Sequence, residues 1–158
     1  MNETLINILL GVALLAALGL NIYVRMRRHF KSPLGKAALI AMDLNRSNKS
    51  IETFGQTRGV PKLKTGNWRK QKDKVDFLPH EIRMELSDVF EMIDEVNASL
   101  GAAKRFHSDS YLAGIDVSKL KEPLARARAN LQDWIQENMH NPEYQPKKRR
   151  SLLSFFNN

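Results

Sequence analysis

Residues 79–106 read PHEIRMELSDVFEMIDEVNASLGAAKRF, and the spacing of their apolar side chains decides the fold. Ile82, Leu86, Val89, Ile93, Val96, Leu100 and Ala103 recur at intervals of four and three. That alternation keeps one stripe of an α-helix apolar for about six turns. Phe90 and Met92 widen the stripe, while Glu81, Glu85, Asp88, Glu91, Asp94 and Glu95 occupy the rest of the surface. Acidic residues gathered in the first half complement the positive end of the helix dipole, and Pro79 suits a first turn. Three heptads are short for an independent coiled coil, so the simpler expectation is a partner within the same chain.

That partner lies close by. Val117, Leu120, Leu124, Ala127, Leu131 and Trp134 repeat the three-four alternation, and Ile135 and Met139 extend it. Ser118 is a candidate cap, Pro123 is tolerated near a first turn, and Asn141-Pro142 stops the helix. Lys119, Lys121, Arg126 and Arg128 oppose in sign the acidic flank of the first helix. Two amphipathic helices joined by about ten residues make an antiparallel hairpin. A hairpin alone leaves apolar surface uncovered. A third helix over roughly residues 33–46, with Ile51 to Phe54 as a candidate extension, opened by Ser32-Pro33 and carrying Leu34, Ala37, Ala38, Ala41, Met42 and Leu44, is expected to cover Phe90, Trp134 and Met139. A homodimer is the alternative cover. The expected fold class is all-α.

Leu5 to Val24 form twenty consecutive residues without a formal charge, and Arg25, Arg27, Arg28 and Lys31 follow within seven positions. Twenty helical residues span roughly 30 Å, the thickness of a bilayer's hydrocarbon core. Lys and Arg stay on the cytoplasmic side, so the expectation is a single-pass membrane protein with its N-terminus outside and the remainder inside. A cleaved signal peptide would need a basic stretch before the apolar run and a small-residue cleavage site after it. Only Glu3 is charged before this run, and arginines follow it.

The formal charge of +8 is unevenly spread. Residues 25–74 hold fourteen Lys/Arg against three Asp/Glu, residues 75–117 three against nine, and residues 118–158 eight against four. Across the end of the first of these, residues 55–76 lack a helical period and contain three glycines and a proline, the composition of a linker. Lys62, Lys64, Trp68, Arg69, Lys70, Lys72 and Lys74 there combine charge with an aromatic ring. Such a set suits nucleic acid, by phosphate contacts and base stacking, or a membrane surface with Trp68 at the interface. The bland reading is that Trp68 packs on the helices while the charges stay solvated. At the other end, Lys147, Lys148, Arg149 and Arg150 precede Leu152, Leu153, Phe155 and Phe156. Charge followed by large apolar side chains reads as a second lipid contact, or as a docking peptide for a partner's groove.

Cysteine is absent, which removes disulfides, thiolate nucleophiles and cysteine-bound metals. His29, His80, His107 and His140 form no HExxH or related metal pattern, and no GxxxxGK[ST] or GxGxxG loop occurs. His107-Ser108-Asp109-Ser110 places catalytic residue types side by side, but adjacent residues on a turn rarely assemble a nucleophile, base and orienter. No catalytic, cofactor-binding or metal-binding residue is assigned, and no enzyme activity is expected. The organisation read from the sequence is an anchor with its basic flank (1–28), a short juxtamembrane helix (29–54), a basic linker (55–76), the hairpin (77–141) and a polybasic-apolar tail (142–158). The expected function is that of a scaffold or adaptor binding another protein through those of Phe90, Met92, Trp134 and Met139 that the core does not consume. A membrane-tethered nucleic-acid binder and an accessory subunit of a membrane complex are the alternatives. Arg25, Arg27, Arg28, Lys31, Lys147 to Arg150, Phe155 and Phe156 are the expected lipid contacts.

Overall fold

Ser32 begins the first long helix because its side chain replaces a missing backbone partner: Ser32 Oγ accepts from the Gly35 N–H at 3.1 Å and donates to the His29 carbonyl at 2.6 Å. Pro33 at the first helical position has no N–H to leave unsatisfied. The computed structural model describes residues 15–16, 18–24, 26, 29–54, 62–106 and 114–146. In chain order its elements are α1 (Pro33–Glu52), α2 (Gly66–Gln71), a 3-10 turn (Lys72–Lys74), α3 (His80–Phe106), a second 3-10 turn (Ser118–Leu120) and α4 (Lys121–Asn138). Every regular element among the described residues is helical, so the chain is all-α.

The helix read over residues 33–46 runs unbroken to Glu52, into the candidate extension at Ile51 to Phe54. Polar Asn45 to Ser50 do not end it because the stripe continues on its inner side through buried Ser47 and Ile51. Ser47 is tolerated there because its hydroxyl is satisfied by the Lys64 backbone, accepting from the N–H at 2.9 Å and donating to the carbonyl at 3.2 Å.

The hairpin forms from α3 and α4. Near the start of α3, Glu85 accepts from Arg126 Nε at 2.5 Å and from Asn130 Nδ2 at 2.7 Å. Near its end, Met92, Val96 and Ser99 line the same cleft as Asp116, Lys119 and Leu120, so the two helices run antiparallel. Ser118 does not cap α4. It sits in the 3-10 turn with both its backbone N–H and its hydroxyl on the Asp116 carboxylate, and α4 begins three residues later. Pro123 therefore falls in the first turn, where its missing donor costs nothing.

The interval expected to be a linker departs most from its sequence pattern. Residues 66–71 are helical, and Leu63, Trp68, Val75 and Leu78 enter the core with Leu86, Val89, Phe90 and Ile93 of α3 and Leu124, Ala127 and Leu131 of α4. Trp68 stacks on Phe90 with ring centroids 4.9 Å apart and planes 7° from parallel. Phe90 is therefore covered by α2, while α1 packs chiefly on α4 and α2. A third helix does pack on α4, but the expected cover differs: Phe90 lies under Trp68 of α2, Trp134 is flanked by Phe77 and Tyr144, and Met139 stays 49% exposed.

Candidate functional site

Two long-range polar devices explain why a stretch with no helical period becomes part of the fold. Asp43 of α1 is buried and takes three hydrogen bonds from the start of α2: Asn67 N–H at 2.6 Å, Trp68 N–H at 3.2 Å and Asn67 Nδ2 at 2.9 Å. Thr65, at the N-cap position, supplies no side-chain bond of its own. A carboxylate placed on the first free N–H groups of a helix satisfies them and complements the dipole, so Asp43 caps α2 from another helix. Asn97 of α3 meets Leu63 as a strand would, accepting from its N–H at 2.9 Å and donating to its carbonyl at 3.0 Å. Residues 63 and 64 are thus held between Asn97 and Ser47. None of these three polar residues stood out in the sequence. Their partners lie 17 to 34 positions away, and only a buried polar residue inside an apolar stripe could have hinted at them.

The expected protein-contact residues divide. Phe90 and Trp134 are buried, at 1% and 6% exposure, and are consumed by the core. Trp134 is packed between Phe77, at 5.5 Å, and Tyr144, at 5.3 Å. Met92 is half-buried against the core, whereas Met139 is 49% exposed. One face of α3 stays open to solvent along Glu81, Met84, Asp88, Glu91 and Glu95, again at three-four spacing.

The basic set of residues 62–74 divides likewise. Lys62, Lys64, Lys70, Lys72 and Lys74 are exposed. Arg69 pairs with Asp94 at 2.7 Å, and Trp68, the residue that would stack on bases or rest at a lipid interface, is buried. Its face is already occupied by Phe90. Charge alone therefore remains available here.

At the N-terminal side, residues 15–16, 18–24 and 26 are helical and exposed, with Leu15, Leu18, Leu20, Ile22 and Tyr23 each more than half accessible. Among the described residues no helix is long and apolar enough to cross a membrane. Residues 5–14, which complete the apolar run, lie outside the described residues, as do Arg25, Arg27 and Arg28. Tyr23, Met26, Phe30, Lys31, Leu39 and Gln71 line one cleft where this helix meets α1 and α2. Gly35 permits that approach: a Cβ there would stand 1.9 Å from the His29 carbonyl oxygen. The tail residues Lys147 to Arg150, Phe155 and Phe156, and the His107 to Ser110 turn, also lie outside the described residues.

Among the described residues, the Asp116 carboxylate has a biased ionisation. The Ser118 hydroxyl, then the Ser118 N–H, stabilise its charged form and hold its pKa below the ordinary value. This is turn chemistry on an exposed group. Among the described residues, no group of three or more metal-ligating side chains converges. No protein-family model, curated protein or solved structure matches the chain.

Proposed function

We propose that the protein is a non-enzymatic, membrane-anchored adaptor, with residues 5–24 embedded in lipid and the four-helix domain on the cytoplasmic side. The observation that carries this reading is the uniformly exposed apolar helix of residues 18–24, which continues a charge-free run starting at Leu5. A helix apolar but for Asn21 near its end favours an apolar surrounding, either a core or a membrane. The domain's own core is filled by other residues, so lipid is the environment that matches. The arginines after the run orient it with the domain inside.

Anchoring concentrates a small helical surface at the membrane, and the open face of α3 from Glu81 to Glu95 is the surface offered to a protein partner. Its acidic side chains around Met84 suit a basic, partly apolar counterpart.

Alkaline carbonate washing of membranes tests the anchor. The full chain is expected to remain in the pellet, whereas a version lacking residues 1–24 moves to the supernatant. Release of the full chain would refute the reading.

A further inference from the structure

The fold gathers basic residues from distant parts of the chain at the end where the N-terminal helix joins. Lys36 Nζ reaches the Lys74 carbonyl at 3.4 Å and lies 5.8 Å from the centre of the Phe77 ring. Two lysines 38 positions apart thereby become neighbours. Gln71, beside Lys70 and Lys72, lines the same cleft as Lys31 and the exposed Phe30. The C-terminal segment returns to this end too: the Leu34 N–H donates to the Tyr144 carbonyl at 3.3 Å, which ties residue 144 to the first turn of α1. Pro146, two residues later, is followed in sequence by Lys147-Lys148-Arg149-Arg150. Among the described residues, Lys31, Lys36, Lys72 and Lys74 form no ion pair, whereas Arg69 and Arg83 are paired with Asp94 and Asp76. Exposed Asp73 and Glu143 also lie in these segments and subtract from the positive balance.

We infer that this end of the folded domain is itself a lipid-docking surface, with Lys31, Lys36, Lys72 and Lys74 contacting anionic headgroups beside the anchor. The inference rests on the anchored reading and goes beyond it: the domain is held against the leaflet rather than hanging from a tether. Headgroups are favoured over nucleic acid for two reasons. Lys31 and Gln71 line the cleft at the foot of the apolar helix and Lys36, joined to Lys74, follows the Gly35 that abuts His29, while Trp68, the aromatic a single strand would need, is stacked inside on Phe90. Lys74, which the sequence groups with a nucleic-acid segment, is tied to Lys36 at the juxtamembrane end, and Lys72, one residue from Gln71, also borders a cleft lined by Asp73, Asp76, Glu91 and Asp94, which subtract from its charge. Each lysine near an anionic surface favours the docked state by about fivefold, so three together contribute on the order of a hundredfold.

The chain has no cysteine, so Gln71→Cys in the full-length protein accepts a single fluorophore. The labelled protein is reconstituted in vesicles of phosphatidylcholine alone or mixed equally with phosphatidylglycerol, each containing a headgroup-attached quencher. Docking predicts stronger quenching in the anionic vesicles and a return to the neutral level in Lys36→Gln/Lys72→Gln/Lys74→Gln. The Lys72→Gln/Lys74→Gln pair, which leaves α1 untouched, should show a partial return. A label at Lys104→Cys, at the far end of α3, should not respond to lipid charge. Equal quenching in both lipids, or no change in either variant, overturns the inference. So does loss of polyuridylate binding in the triple variant without loss of the lipid response, which assigns the lysines to nucleic acid. Carbonate washing of the same vesicles separates the two claims: protein retained but indifferent to lipid charge refutes docking alone, and protein washed away refutes the anchor as well.

Discussion

Asp43 shows how a single residue determines whether its surroundings are ordered. Its carboxylate is the cap that α2 lacks in its own sequence, and it is buried where water cannot replace it. Asp43→Ala strands the Asn67 and Trp68 N–H groups and is expected to cost about 3 kcal/mol, since bonds to a charged acceptor are worth more than neutral ones. Urea unfolding measures this, and a loss below about 0.5 kcal/mol would contradict the assignment. Gly35 is required for a different reason, the backbone of His29 and Phe30 lying where a side chain would be. Gly35→Ala should leave α1 intact but force the preceding helix away. A spin-label pair at Tyr23→Cys and Met42→Cys, both exposed, is expected to report a longer or broader distance; an unchanged distribution would argue against the close join. Asp116 supplies a pH-dependent prediction. Its folded pKa is depressed, so the turn gains stability above the ordinary carboxylate range and loses it as pH falls through the depressed value. Ser118→Ala removes the largest cause, and the Asp116 titration followed by NMR should move upward.

Among the elements, α3 and α4 were legible because each carries an unbroken three-four stripe whose apolar residues are those that fill the core. The start of α1 was legible from Ser32-Pro33, and its true end only as a candidate extension, because Ser47 looks like a polar interruption until Lys64 is seen beside it. The six-residue α2 was illegible for a stronger reason. Two turns are too short to show a period, and an isolated helix of that length is not stable, so its existence depends on Asp43 and on the Trp68–Phe90 stack. Phe90→Ala is accordingly expected to destabilise the domain by about 3–5 kcal/mol and to raise amide exchange in residues 66–71 more than at the centre of α4. Uniform exchange across both would contradict the dependence. The same stack decides two open readings at once: Phe90 is consumed by the core rather than left for a partner, and Trp68 packs on the helices rather than facing nucleic acid.

For the whole molecule, charge and apolar surface divide the labour. Residues that balance each other inside the domain, such as Glu85 with Arg126 and Asn130, fix how helices pair. Lys31 lines the cleft beside the apolar N-terminal helix, and the acidic face of α3 from Glu81 to Glu95 is exposed and is the surface proposed for a partner. The proposed anchoring requires that this helix lie in lipid and that the domain lie on the side where arginine is retained. Cysteine accessibility in intact cells tests both conditions in one measurement, using Asn2→Cys and Lys104→Cys in the otherwise cysteine-free chain. With a membrane-impermeant maleimide, position 2 is expected to be labelled before lysis and position 104 only after it. Labelling of position 104 in intact cells, or protection of position 2 until lysis, would contradict the account.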